Sequence, residues 1–179
     1  MVSALKLARP WMTEEEVRLI ETELLQTGRS HLEVLEWGSG GSTLHFTRFL
    51  REAKCSYRWL SLEYNRAWHR KVAKATRTDP HVEVMLFDVG NRRLRQRHTD
   101  MTGYIKHPAS LGRRFDVIIV DGRKRRRCLL EAKALLQPDG VVLLHDAQRC
   151  YYRCAMQSYP YGCLLTPHLW RGSLNQVGV

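Results

Sequence analysis

The sequence predicts an α/β chain with a doubly wound, mainly parallel seven-stranded sheet and a C-terminal antiparallel hairpin. Three observations carry this. Short apolar runs alternate with longer stretches of helical periodicity, the pattern of successive β–α units. The first run leads into a glycine-rich turn over residues 36–43, Glu-Trp-Gly-Ser-Gly-Gly-Ser-Thr, and then into a helix. Five runs end in an acid, namely Glu36, Glu63, Asp88, Asp121 and Asp146, as parallel strands emerging at one sheet edge would.

Thr13 and Glu16 form a capping box that opens a leading helix over about 13–26, with Val17, Ile20, Leu24 and Leu25 on one face. Leu32 to Glu36 reads as the first strand. After the turn, Ser42 or Thr43 can cap a helix that runs to about Leu50. Trp59 to Glu63 reads as a strand, Ala67 to Thr76 as a helix, and Val82 to Leu86 as a strand ending at Asp88. The stretch Val89 to Arg114 has no clear periodicity and carries Gly103, Pro108 and Gly112. It is expected to be a long functional or mobile loop. Phe115 to Val120 has the continuous apolar run of a central parallel strand. A helix from Cys128 to Leu136 then stops at Pro138-Asp139-Gly140, and Val141 to Leu144 forms a strand. The tail predicts a helix around Tyr151 to Met156 and two strands near Gly162 to Thr166 and Ser173 to Val177. These pair through a turn spanning Pro167 to Gly172.

At 179 residues the chain is expected to form a single domain over 1–179. Its composition, 44% hydrophobic and 26% charged, is that of a globular protein. No run of about 18 apolar residues suggests a membrane span, and Met1 to Pro10 lacks the apolar segment of a secretory signal. Five cysteines without framework spacing point to reduced thiols and a cytoplasmic setting. Cys150 and Cys154 read as half-buried thiols rather than a metal clip. The net charge of +11 is clustered in Arg92, Arg93, Arg95, Arg97 and His98, in Arg113 and Arg114, in Arg123 to Arg127, and in Arg149 and Arg153. This is either a solvated basic surface or a field that draws in phosphates, carboxylates or nucleic acid.

A glycine turn between strand and helix lets a ligand approach the backbone and meet the helix N-terminus. The dinucleotide pattern G-x-G-x-x-G is incomplete, since Thr43 stands at its third glycine. An ordinary tight turn is the plainer alternative. The pattern E-x-G-x-G (Glu36, Gly38, Gly40) instead resembles motif I of the class I S-adenosylmethionine (SAM)-dependent methyltransferases. So do the acid ending the second strand (Ser-Leu-Glu63), the acid after the third, the run Phe115 to Gly122, and Leu136 to Val142. In the last of these, Asp139 replaces the first glycine of that family's L-x-P-G-G turn. The resemblance extends over about Glu14 to Ala147.

It implies a Rossmann-like fold and SAM as cofactor. Glu36 and Gly38 would hold the amino-acid end, within a turn that includes Trp37, Ser39, Gly40, Ser42 and Thr43. Glu63 would accept the ribose hydroxyls, Asp88 the adenine amino group, and Phe87 or Val89 would pack on the ring. Asp121 sits where methyl donor and acceptor should meet and is the expected catalytic group, with His145 as a second candidate. A hydrogen-bonded histidine at a strand end is the plainer reading of His145. Arg123 and Arg125 would clamp an anionic acceptor, or alternatively form the solvated start of a helix. The ends of strands four and five are also similar to the catechol-type O-methyltransferases, which implies a divalent cation such as Mg²⁺ on Asp121 and Asp146. Ala147, however, stands where that family has an asparagine. A cap, or a salt bridge from Asp146 to Arg149 or Arg153, is the competing reading. The leading function is O-methylation of a small-molecule or anionic substrate. The alternatives are an RNA methyltransferase that uses the basic clusters and a non-catalytic SAM-fold binding module. The residues leave the oligomeric state open.

Overall fold

The computed structural model describes residues 9–89 and 99–176. Its elements, in chain order, are α1 (Glu14–Gln26), β1 (His31–Trp37), α2 (Gly41–Glu52), β2 (Ser56–Glu63), α3 (Arg66–Thr76), β3 (Val82–Leu86), α4 (Thr102–Ser110), β4 (Phe115–Val120), α5 (Arg125–Leu135) and β5 (Leu136–His145). A 3₁₀ turn (Cys150–Tyr152), α6 (Arg153–Met156), β6 (Tyr161–Leu164) and β7 (Leu169–Ser173) complete it. The strands form one seven-stranded sheet in the order β3-β2-β1-β4-β5-β7-β6. Strands β1 to β5 are parallel, and β7 runs antiparallel to both β5 and β6.

The period-2 pleat sorts the strand residues to two cores. Leu32, Val34, Trp59, Val117, Ile119 and Leu143 face Ile20 and Leu24 of α1 and Phe46 and Leu50 of α2. Leu35, Trp37, Leu62, Ile118, Val120 and Leu144 face Tyr104 and Ile105 of α4 and Leu129 and Ala132 of α5. Burying each such aliphatic side chain contributes about 1.5–3 kcal/mol, so the sheet is held from both sides. The capping box of α1 forms as expected: Thr13 N–H donates to Glu16 at 2.8 Å, and Glu16 N–H donates to the Thr13 hydroxyl at 3.2 Å. Asn65 caps α3 by accepting from Trp68 N–H at 3.0 Å.

The sheet order places β1 beside β4 in the middle, and the chain leaves these two strands in opposite directions, towards β2 and towards β5. The crevice beyond their carboxyl ends is the place where open α/β sheets bind ligands.

Five expectations are corrected. The stretch read as a loop from Val89 to Arg114 contains α4, whose Tyr104, Ile105 and Pro108 are buried. Its short length and its glycine and proline hid the period. Helix α5 begins at Arg125 rather than Cys128, because the Arg125 side chain is neutralised where a basic first turn would otherwise be unfavourable. Strand β5 starts earlier, at Leu136, and reaches its parallel register with β4 after an irregularity between Phe115 and Val117. The last strand is Leu169–Ser173, so Gly172 lies inside it rather than in the turn. Cys150 and Cys154 are exposed rather than half-buried, and all five cysteines are free thiols. No helix among the described residues is long and apolar enough to cross a membrane. The basic group Arg92 to His98 and the end of the last predicted strand, Val177, lie outside the described residues.

Candidate active site at the β1–β4 crossover

Two glycines let the ends of β1 and β4 touch. Gly38 has φ +103°, and a Cβ there would lie 2.8 Å from the Gly122 backbone. A Cβ on Gly122 would in turn meet Gly38 N and Trp37 O at 2.8 Å. Neither position admits a side chain without moving backbone. The contact is fixed by Gly38 N–H donating to Leu62 O at 2.9 Å and by Asp121 N–H donating to Trp37 O at 3.0 Å.

Glu36 does not face the crevice. It shares the pleat face of Val34, beneath α2, and is fully buried. One carboxylate oxygen accepts from Ser42 Oγ at 2.5 Å. The other accepts from Thr43 Oγ1 at 2.6 Å, Ser61 Oγ at 2.5 Å and Trp59 Nε1 at 3.0 Å. Thr43 Oγ1 also accepts from Gly40 N–H at 3.0 Å. The acid therefore ties the glycine turn and the first turn of α2 to β1 and β2, near the positive end of the helix dipole. Burial outweighs these hydrogen bonds and pushes its pKa up to about 7.

Glu63 braces the same turn from β2 and borders the crevice. One oxygen accepts from Ser39 N–H at 3.0 Å and Ser39 Oγ at 3.1 Å. The other accepts from Tyr64 N–H at 2.9 Å and Asn65 N–H at 2.7 Å. Burial, set against these bonds, leaves its pKa raised.

At the ends of β4 and β5 the charges alternate in a chain. Arg125 Nη2 is ion-paired with Asp121 Oδ1 at 2.9 Å, and Nη1 donates to Asp146 Oδ2 at 2.9 Å. Arg149 reaches Asp146 Oδ2 at 2.9 Å. His145 Nδ1 lies 3.0 Å from Asp121 Oδ1, and its Nε2 lies 3.8 Å from Glu16 Oε2. Glu16 is buried and also accepts from Thr166 Oγ1 at 3.1 Å. Burial disfavours a charged imidazole, but the hydrogen bond and charge of Asp121 outweigh it and raise the His145 pKa. Burial alone would raise the pKa of Asp146, but Arg125, His145 and Arg149 bring it below the usual carboxylate value.

One cavity of about 770 Å³, within the range of small-molecule sites, opens at these strand ends. Of the residues expected to form the site, Gly38, Ser39, Gly40, Ser42, Glu63, Asp121, Arg123, Arg125, His145 and Asp146 line it. Five do not. Glu36 and Thr43 are turned under α2, and Trp37 is buried on the opposite face with its Nε1–H on Tyr104 O at 3.0 Å. Asp88 is held by Arg66 at 2.8 Å, and Val89 packs against the core.

Two roles expected of the basic and acidic groups are also corrected. Arg125 does not present a free guanidinium to an acceptor, because carbonyl oxygens and the two carboxylates occupy it. Asp121 and Asp146 do not face each other as a cation pair, because Arg125 stands between them. Among the described residues, no group of three or more His, Cys, Asp or Glu side chains could hold a metal ion.

The sequence reading missed Trp11, Asn65, Trp68 and Lys71, which line the cavity beside the glycine turn. Trp68 Nε1 donates to Ser39 O, and Trp11 packs on Trp68 with ring centroids 6.1 Å apart. It missed Tyr64 as well, over which Arg123 lies at 5.6 Å. Asn65 carried a readable signal as a helix cap. Trp11 and Glu16 meet their partners only through the fold.

A family model described as a methyltransferase domain matches residues 35–147. No curated protein matches the sequence. A methyltransferase-like protein from Silicibacter pomeroyi superposes with a TM-score of 0.67 at 23% identity, covering 93% of this chain and 90% of that one. An O-methyltransferase from Bacillus cereus in complex with S-adenosylhomocysteine (SAH) gives a TM-score of 0.66 at 14% identity over 96% and 86%. Human methyltransferase-like protein 13, also in complex with SAH, gives 0.60 at 16% over 92% and 83%. At these identities the three structures show the shared fold.

Proposed function

The chain belongs to this methyltransferase-domain family and is a SAM-dependent methyltransferase, and from that premise we propose that it methylates an oxygen of a small anionic acceptor in the cavity at the β1–β4 crossover. The observation that carries the reading is convergence. The glycine turn with the N-terminus of α2, Glu63 and Asp121 border one cavity, although they come from three separate segments of the chain.

The residues fit the cofactor. Gly38, Gly40 and Gly41 keep the backbone bare of side chains at the cavity wall, and Ser42 opens α2 onto it. A carboxylate group would meet the helix N-terminus there. Glu63 and the Ser39 hydroxyl would take the ribose hydroxyls. SAM, when bound, supplies a sulfonium methyl that a nucleophile takes in line. The chain's own contribution is mainly positioning. Both contacts of Asp121 fall on Oδ1, which leaves Oδ2 to accept the proton of the acceptor hydroxyl as the new C–O bond forms. Arg125 and His145 fix that carboxylate. Arg123 and Arg149 border the same cavity and supply positive charge for the acceptor.

Turnover of SAM with a panel of small hydroxylated anions tests this. Asp121→Asn keeps the size of the side chain and should retain SAH affinity while turnover falls at least tenfold. Unchanged turnover in that variant would remove Asp121 from the reaction.

A further inference from the structure

Between β4 and β5 the chain supplies its own cation. A guanidinium carries five N–H donors, and Arg125 makes four hydrogen bonds and a further ion pair with them. Nε donates to Gly122 O at 3.0 Å. Nη1 donates to His145 O at 2.5 Å and Asp146 Oδ2 at 2.9 Å. Nη2 donates to Asp121 O at 2.9 Å and is ion-paired with Asp121 Oδ1 at 2.9 Å. The side chain is 14% exposed. Its partners are two carboxylates and three carbonyls from the ends of β4 and β5.

We propose that Arg125 takes the place of a divalent cation in this site, so that Asp121 and Asp146 are ligands of an arginine and the enzyme works without a metal.

Coordination geometry supports this. Magnesium needs oxygens at about 2.0–2.1 Å and calcium at about 2.3–2.6 Å, with six or more ligands. An ion between the two carboxylates would have to expel a guanidinium that contacts both. Each carboxylate also has a second basic partner, His145 on Asp121 and Arg149 on Asp146. The next residue, Ala147, is buried and has no donor atom in its side chain. The backbone is committed to the same arrangement. Asp146 sits at φ +59°, an uncommon conformation for a residue with a Cβ, and it persists where surrounding contacts over-determine it. In Asp146 those contacts are Arg125 and Arg149. Arginine also suits the task chemically, because its planar fork binds several oxygens at once and keeps its charge.

The consequence for turnover rests on the methyl-transfer reading, whereas the cation assignment can be tested apart from it. Mn²⁺ serves as the probe, followed by its free-ion paramagnetic resonance signal, with full-length protein in the presence of SAH. Wild type should show no saturable Mn²⁺ binding at millimolar metal. Arg125→Ala leaves two carboxylates without the shared cation, so it should bind one Mn²⁺ at least tenfold more tightly than wild type. Arg125→Lys keeps a positive charge between the carboxylates and should stay close to wild type. Saturable binding of one Mn²⁺ by wild type would overturn the proposal. So would an Arg125→Ala protein that unfolds cooperatively and gains no affinity. If Arg125→Ala does not fold, wild type and Arg125→Lys still decide, since saturable binding by wild type or by both refutes the assignment. SAH affinity measured in the same samples reports separately on the methyltransferase reading.

Discussion

Glu36 is a carboxylate sealed beneath the glycine turn, so replacing it with glutamine separates the cost of its charge from the value of its shape. Only Ser42 Oγ contacts one oxygen, and a glutamine amide there can donate to that hydroxyl. The remaining oxygen keeps its bonds from Thr43, Ser61 and Trp59. Glu36→Gln should therefore fold normally. The wild-type carboxyl is raised from 4.5 to about 7 by burial. At pH values below 4.5 it is protonated in both states and exerts no pH effect. Between 4.5 and about 7 the folded protein holds a proton that the unfolded chain releases, so stability falls as pH rises. Above about 7 the full cost of the buried charge is present, about 3 kcal/mol for a shift of this size. Glutamine does not titrate. Urea unfolding at pH 5 and pH 8 should show the stability of Glu36→Gln relative to wild type growing by about 3 kcal/mol towards pH 8, a difference that cancels the other titrating groups. A difference that is constant with pH, or that grows towards acid, would refute the placement of this carboxylate in a sealed pocket.

Two further perturbations probe the walls of the cavity. Gly122→Ala forces a methyl against Gly38 N and Trp37 O. It should cost about 1–3 kcal/mol of stability, a Tm drop of about 2–4 °C per kcal/mol for a chain of this size, and an unchanged melting curve would contradict the close crossing. Arg123→Ala should raise the KM for an anionic acceptor with only modest salt dependence, because one or two charges act there. An RNA acceptor engaging about six phosphates would instead lose roughly 10³-fold in affinity between 50 and 200 mM salt, which a gel-shift titration would reveal.

The sheet was legible because its strands are apolar runs with acids and glycines as punctuation. Helix α4 was not, since Gly103 and Pro108 interrupt a short period that only the packing of Tyr104 and Ile105 completes. Gly172 looked like a turn residue, but it serves the Trp170 ring, which also lies 2.5 Å from where a Gly162 Cβ would be. A glycine inside a strand can mark the close approach of a ring as well as a bend. Glycine spacing located the crevice, whereas the exposure of each acid depended on its place along the strand. Glu36 and Glu63 share one pleat parity, but Glu36 lies inside β1 beneath α2, while Glu63 ends β2 and borders the cavity. The meeting of Glu16 with His145 and the bridge from Arg125 to Asp146 join residues far apart in sequence, and no local pattern encodes them.

Calorimetric titration of SAH into wild type and Glu63→Ala decides whether this cavity holds the cofactor. Wild type should bind one SAH per chain, and Glu63→Ala should bind roughly 10- to 100-fold more weakly, as expected for losing a charge-assisted partner worth about 1.5–3 kcal/mol. Normal SAH affinity in Glu63→Ala, or tight NAD binding with none of SAH by wild type, would contradict a cofactor site here.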